Sequence, residues 1–123
     1  MRSWVLRTFR GATLVACVSV GLGVWSQPAL GIDGDPQKGK VVYERYCMAC
    51  HGARGKGNGP AAKSLTPPPA DLTSADVRGD PDEELLGIIR NGKPRTAMQA
   101  WMWKGVSEQG YRDVLAYVRT LSQ

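Results

Sequence analysis

One histidine, one phenylalanine and three cysteines are all that this 123-residue chain supplies. Past residue 31 the scarcity sharpens. Phe9 and Cys17 fall before that point, so the remainder has no phenylalanine, two thiols at Cys47 and Cys50, and the lone imidazole of His51. Three Cys or His ligands fall short of the four that a closed structural zinc site takes, and none follows downstream. Alternation of the strand type is missing along the whole chain, which points to an all-α fold. The length is that of one domain.

The start of the chain carries a leader. Arg2, Arg7 and Arg10 precede the run from Gly11 to Trp25, which holds no charge. A basic segment, an apolar segment and the small residues Ala29 to Gly31 predict a secretory signal peptide over 1–31, cut after about Gly31. The expected consequence is export of residues 32–123. Two other readings use the same residues. An uncleaved anchor would have to span the bilayer with an apolar run short of the roughly 20 residues required. Leu14 to Cys17 has the look of a lipoprotein box, with a lipid at Cys17, although apolar sequence continues beyond it.

Removing the leader takes three of the 16 basic residues and leaves 13 against 11 acidic ones, so the net charge falls from +5 to +2. That balance is weak ground for nucleic-acid or membrane binding, and neither is expected. A core of this size is marginal without a staple or a bound group.

Tyr46 to His51 reads "YCMACH" and leads into a segment rich in glycine and lysine. A redox dithiol would want a strand before the cysteines and a helix after them, whereas a helical pattern precedes them and a glycine-rich loop follows. C-x-x-C-H is the signal for covalent c-type haem attachment: two thiols for the vinyl groups and an imidazole for the iron. On a helical turn Cys47 and Cys50 share a face, with His51 one step round. Because His51 is the sole histidine, a second imidazole ligand within this chain is excluded. The other axial position then belongs to methionine, to a weaker ligand or to none. Met48 sits inside the attachment segment and would have to reach around the macrocycle, which leaves Met98 and Met102, each of which would otherwise pack as core.

Three main helices are expected. The first opens with Asp35 as N-cap and Pro36 at the first helical position, and runs towards Cys47 with Val42, Tyr43 and Tyr46 as its apolar stripe. The second shows the same start at Asp80 and Pro81, followed by three acidic residues, and Asn91-Gly92 stops it. Ser107 caps the third, which carries Tyr111, Val114, Leu115, Val118 and Leu121 on one face. The segment from Gly52 to Gly79 lacks periodicity, and a loop that long in a small domain needs a job.

On the C-x-x-C-H motif, the single histidine and these helices, residues 32–123 resemble the small class I c-type cytochromes, the single-haem electron carriers of bacterial periplasms. The resemblance implies an all-α cytochrome c-like fold, with long Gly/Pro-rich loops wrapped around one covalent haem c. It implies that the first and last helices cross beside the haem, through Gly39 and Tyr43 against Tyr117. It places the distal ligand at Met98, because "NGKPRTAM" looks like the family segment in which a G-x-P loop leads to the axial methionine. Gln99 departs from the proline often found next, and Met102 is the second choice. The Pro60 carbonyl would accept the other N–H of the His51 ring. Trp101, and less surely Trp103, would offer an indole N–H to a haem propionate or pack as core.

With both axial positions filled, substrate chemistry at the iron is disfavoured. The expected function is one-electron transfer rather than catalysis, with no small-molecule substrate. Lys56, Lys63, Lys93, Arg95 and Lys104 would steer an acidic redox partner, or simply form a solvated surface. The partners expected are redox proteins, including membrane respiratory complexes, met by a monomer. Two other functions stay open: an electron-entry subunit of a larger oxidase or dehydrogenase, and a five-coordinate haem enzyme or gas sensor.

Overall fold

In a computed structural model the described residues are 32–100 and 105–123. The leader over 1–31, Cys17, Trp101, Met102, Trp103 and Lys104 lie outside them. Among the described residues there are five α-helices and no strand: α1 Pro36–Tyr46, α2 Met48–His51, α3 Ala75–Gly79, α4 Asp82–Asn91 and α5 Glu108–Leu121. No helix among them is long and apolar enough to cross a membrane.

The start of α1 follows from its cap. The Asp35 carboxylate accepts the backbone N–H groups of Gln37 at 2.9 Å and Lys38 at 3.3 Å, and Pro36 occupies the position where a missing donor costs nothing. Ser107 caps α5 by accepting the Gly110 N–H at 3.1 Å. The two helices pack along most of their length. Tyr43 is fully buried, and its ring meets that of Tyr117 at 5.2 Å between centroids, tilted by 60°. On α5, Tyr111, Val114, Leu115 and Val118 recur at spacings of three and four, so one stripe carries the core. Burying side chains of this size stabilises the fold by about 1.5–3 kcal/mol each.

Gly39 permits this crossing. A Cβ there would sit 1.8 Å from the Asp113 carbonyl oxygen and 2.9 Å from the Val114 nitrogen, inside backbone that has no room to yield. The expected contact of Tyr43 with Tyr117 is present, while Gly39 meets α5 one turn earlier, at Asp113 and Val114. Replacing Gly39 by valine should therefore cost at least about 2 kcal/mol, or roughly 10 °C in thermal midpoint, without touching any site residue. An unchanged midpoint would mean that the helices do not cross here.

Asp113 carries a second tie that sequence reading missed. It is only 5% exposed, and its Oδ1 accepts from the Asp35 backbone N–H at 2.8 Å and the Gln109 amide at 3.0 Å. A buried acid on an apolar stripe looks like an error in the pattern until its donors are known; here they fasten the beginning of α1 to α5.

Helix α4 begins one residue later than the sequence suggests. Asp80 was expected to cap it, but Asp80 and Pro81 are both extended and α4 starts at Asp82. The reason lies on α5. The Arg119 guanidinium donates to the Asp80 carbonyl and to the Asp82 carboxylate, and also to the Val77 and Arg78 carbonyls at the end of α3. One side chain thus satisfies the C-terminal carbonyls of α3 and draws the α3–α4 junction onto α5. The segment expected to be plain loop holds α3 and a 3-10 turn at Ala62–Ser64. Neither is long enough to show a period in the sequence. The buried face of α4, Leu85, Leu86 and Ile89, closes the core from the side opposite α1.

Candidate functional site

Helix α2 is a single turn, so all of its carbonyls are left without an intrahelical partner. The glycine-rich segment supplies the partners. The Met48 carbonyl accepts from Gly52 N–H at 2.9 Å, Ala49 from Ala61 at 2.9 Å, Cys50 from Gly59 at 3.0 Å and His51 from Gly57 at 2.8 Å. Gly59 must approach so closely that a Cβ would lie 2.3 Å from the Ala49 oxygen. From below, the buried Tyr43 hydroxyl donates to the Gly52 carbonyl at 2.7 Å. The turn that bears Cys47, Cys50 and His51 is therefore held by the loop that follows it and by the α1–α5 core.

The second expectation for that loop does not hold. Pro60 was expected to receive the His51 N–H, but the His51 Nδ1 donates to the Ala70 carbonyl at 3.0 Å. Pro60 is exposed, and its neighbours Gly59 and Ala61 are committed to the carbonyls of α2, which turns this stretch along the helix turn and away from the imidazole. Ala70 is brought in by its own neighbours. Leu72 N–H bonds to the Gly55 carbonyl, and Gly57 packs against the Pro69 carbonyl. A carbonyl acceptor carries no sequence signal, so the residue could not be named without the path of the chain.

With its proton on Nδ1 and bonded to Ala70, the ring presents Nε2 with a free lone pair. Burial lowers the His51 pKa, and the Ala70 bond only partly offsets it, so the neutral ring is favoured. That is the state in which an imidazole binds a metal. Among the described residues no three His, Cys, Asp or Glu side chains cluster as a metal site.

His51, Cys47 and Cys50 line a cavity of about 400 Å³, and Met98 lines it too. Leu85 and Ile89 from α4, Val114, Leu115 and Val118 from α5, and the Pro67–Ala70 stretch make up much of the rest. The walls are apolar side chains that also form the core, so the cavity opens the hydrophobic centre to one side. Pro60 is not among its lining residues, and Trp101 lies outside the described residues. Lys93, Thr96 and Asp80 also line it, and none was singled out as lining from the sequence. Of the expected steering cations, Lys63, Lys93 and Arg95 are exposed, while Lys56 bonds Thr73 and pairs with Asp71.

Both thiols are free, Cys47 buried and Cys50 half-buried. Burial, with Cys50 beside it, pushes the Cys47 thiol far above the usual range, which makes it a poor redox nucleophile. Two thiols on one turn, a neutral imidazole next to them and a thioether on the same apolar cavity are the donors that a covalently bound haem requires. The residues present fit that group.

Residues 34–118 match the family described as cytochrome C oxidase, cbb3-type, subunit III. Cytochrome c-554(547) of Halothiobacillus neapolitanus is 32% identical over 94 residues, which cover 72% of this chain and 98% of that protein. The cbb3-type cytochrome c oxidase subunit CcoP of Azospirillum brasilense is 31% identical over 69% of this chain, a match that spans 28% of that longer subunit. Among solved structures, a chain of the Kuenenia stuttgartiensis reducing HAO-like protein complex superposes with a TM-score of 0.62 at 26% identity, over 71% of this chain and 42% of that one. The KustC0563 c-type cytochrome superposes at 0.56 and 20% identity, over 69% of this chain and 98% of its own, a likeness of fold. The conclusion is that this chain belongs to the c-type cytochromes, within the family described as cytochrome C oxidase, cbb3-type, subunit III.

Proposed function

We propose that this electron-transfer cytochrome works as an exported single-haem carrier, with Cys47 and Cys50 holding one haem c, and His51 and Met98 as its two axial ligands. The observation that carries the proposal is that His51 and Met98 line one cavity whose walls are otherwise mostly apolar. When bound, the haem supplies one-electron exchange between ferrous and ferric iron.

The chain's own residues set the conditions for that exchange. The Ala70 carbonyl fixes the His51 ring and raises its basicity as a ligand. Leu85, Ile89, Val114, Leu115 and Val118 exclude water, which favours the state of lower charge. With Met98 as the second iron ligand, no small molecule would find a place at the metal, and the protein would act as a carrier rather than an enzyme. Lys93 at the cavity, with exposed Arg95 two residues from it and exposed Lys63 two residues from the lining Leu65, would favour an acidic redox protein at the open side. The leader over 1–31 supports a periplasmic location for the carrier, acting as a monomer with redox proteins that include membrane respiratory complexes.

The test is exposure of the reduced, purified protein to carbon monoxide. The proposal expects an unchanged absorption spectrum; binding of the gas by the unmodified protein would make it five-coordinate and overturn the reading. A second reading, an electron-entry subunit of a larger oxidase or dehydrogenase, draws support from the similarity to an oxidase subunit and to a chain of a larger complex. It predicts co-purification with a partner at fixed stoichiometry, where a free carrier elutes alone.

A further inference from the structure

Met98 stands at the end of a six-residue loop, 93–98, whose hydrogen bonds converge on one hydroxyl. Thr96 Oγ1 donates to the Lys93 carbonyl at 2.8 Å and accepts the Met98 backbone N–H at 3.1 Å. The Thr96 N–H also reaches the Lys93 carbonyl, at 3.3 Å, and the Lys93 N–H donates to the Met98 carbonyl at 3.2 Å. The two ends of the loop are thus bonded to each other directly and, between them, through Thr96. The hydroxyl's only proton is spent on Lys93 and one of its lone pairs on Met98. Pro94 and Arg95 form the outer turn, and Arg95 holds a left-handed conformation at φ 62. That conformation is costly for a residue other than glycine, so the turn depends on the bonds that close it.

The closure matters because of where Met98 points the chain. Its side chain packs against the core and lines the cavity, which Thr96 also lines. Helix α4 ends at Asn91, so the loop spans the distance from a rigid element to the thioether. A ligand on a loop is only as well placed as the bonds that fix its backbone.

We infer that Thr96 is the positioning residue of the Met98 ligand, its hydroxyl holding the thioether at the iron's distal side against competing ligands. The inference rests on the His51 and Met98 reading given above. Thr96 acts through the Met98 backbone and needs no contact with the metal. Losing the hydroxyl removes its bonds to the Lys93 carbonyl and the Met98 N–H together and leaves the strained turn held by two backbone bonds, from Thr96 N–H to the Lys93 carbonyl and from Lys93 N–H to the Met98 carbonyl.

The experiment uses the full, haem-loaded protein with Thr96→Val, Thr96→Ser and Met98→Ala beside the unmodified chain. Three readouts are taken: the sulfur-to-iron charge-transfer absorption of the ferric state, the affinity of the ferric state for imidazole, and hydrogen exchange of the Met98 amide. Thr96→Val should weaken the absorption, raise imidazole affinity about tenfold and speed Met98 exchange by a similar factor, as expected for one to two lost hydrogen bonds. Thr96→Ser keeps the hydroxyl and should restore all three. Thr96→Ala repeats the test should valine crowd the cavity wall. The inference is overturned if Thr96→Val and Thr96→Ala behave like the unmodified protein while Met98→Ala does not. It is overturned equally if Thr96→Ser fails as they do, since the methyl group and not the hydroxyl would then be responsible. If the unmodified protein lacks the absorption and Met98→Ala changes nothing, the ligand reading itself fails, and the inference falls with it.

Discussion

Met98→Ala is expected to lower the reduction potential by on the order of 0.1 V or more, within the roughly 0.8 V that axial ligands command, and to let the reduced protein bind carbon monoxide. The argument is one of ligand chemistry. A thioether is a weak, neutral, polarisable donor that favours ferrous over ferric iron, so removing it takes away the preference. Alanine leaves a space in the largely apolar cavity that Met98 lines, where water or a diatomic gas would enter. The helices should be little affected, because Met98 lies on a loop and is only partly buried. A normal fold with a shifted potential and new gas binding is therefore the expected pattern. An unshifted potential would transfer the ligand's role to Met102 or to no side chain at all.

The double variant Cys47→Ala, Cys50→Ala is expected to retain no haem under denaturing conditions and to be largely unfolded. Alanine removes the two thiols without adding a polar group to the buried Cys47 position. The effect on folding comes from the cavity. Without the haem, the apolar core side chains that line a space of about 400 Å³ lose the packing partner that fills it. A whole domain is stable by only roughly 5–15 kcal/mol, so the loss of that packing is expected to be decisive. A cooperative, helical and haem-free double variant would show that α1, α4 and α5 are sufficient by themselves.

The sequence made the attachment turn and the main helices legible because each carries a local signal. C-x-x-C-H is one, and the caps at Asp35 and Ser107 are others, with bonds inside three residues. The single histidine excluded a second imidazole ligand within the chain, and the structure brings Met98, the ligand that the resemblance implied, to the same cavity as His51. What escaped the reading depends on distant chain. The Asp80 start of α4 was displaced by Arg119, nearly forty residues away in sequence. The His51 partner is Ala70 rather than Pro60, because the glycines around Pro60 are committed to the carbonyls of a one-turn helix. Asp113 was not singled out in the sequence, and its carboxylate ties α1 to α5. Thr96 resembled any loop threonine until both ends of its loop were seen to meet on its hydroxyl.

The measurement that bears most directly on this account is the intact mass of the purified protein after denaturation and removal of every non-covalent ligand. The account predicts a chain heavier by the mass of one haem, with the addition lost in the Cys47→Ala, Cys50→Ala variant. A mass equal to that of the polypeptide alone would contradict it.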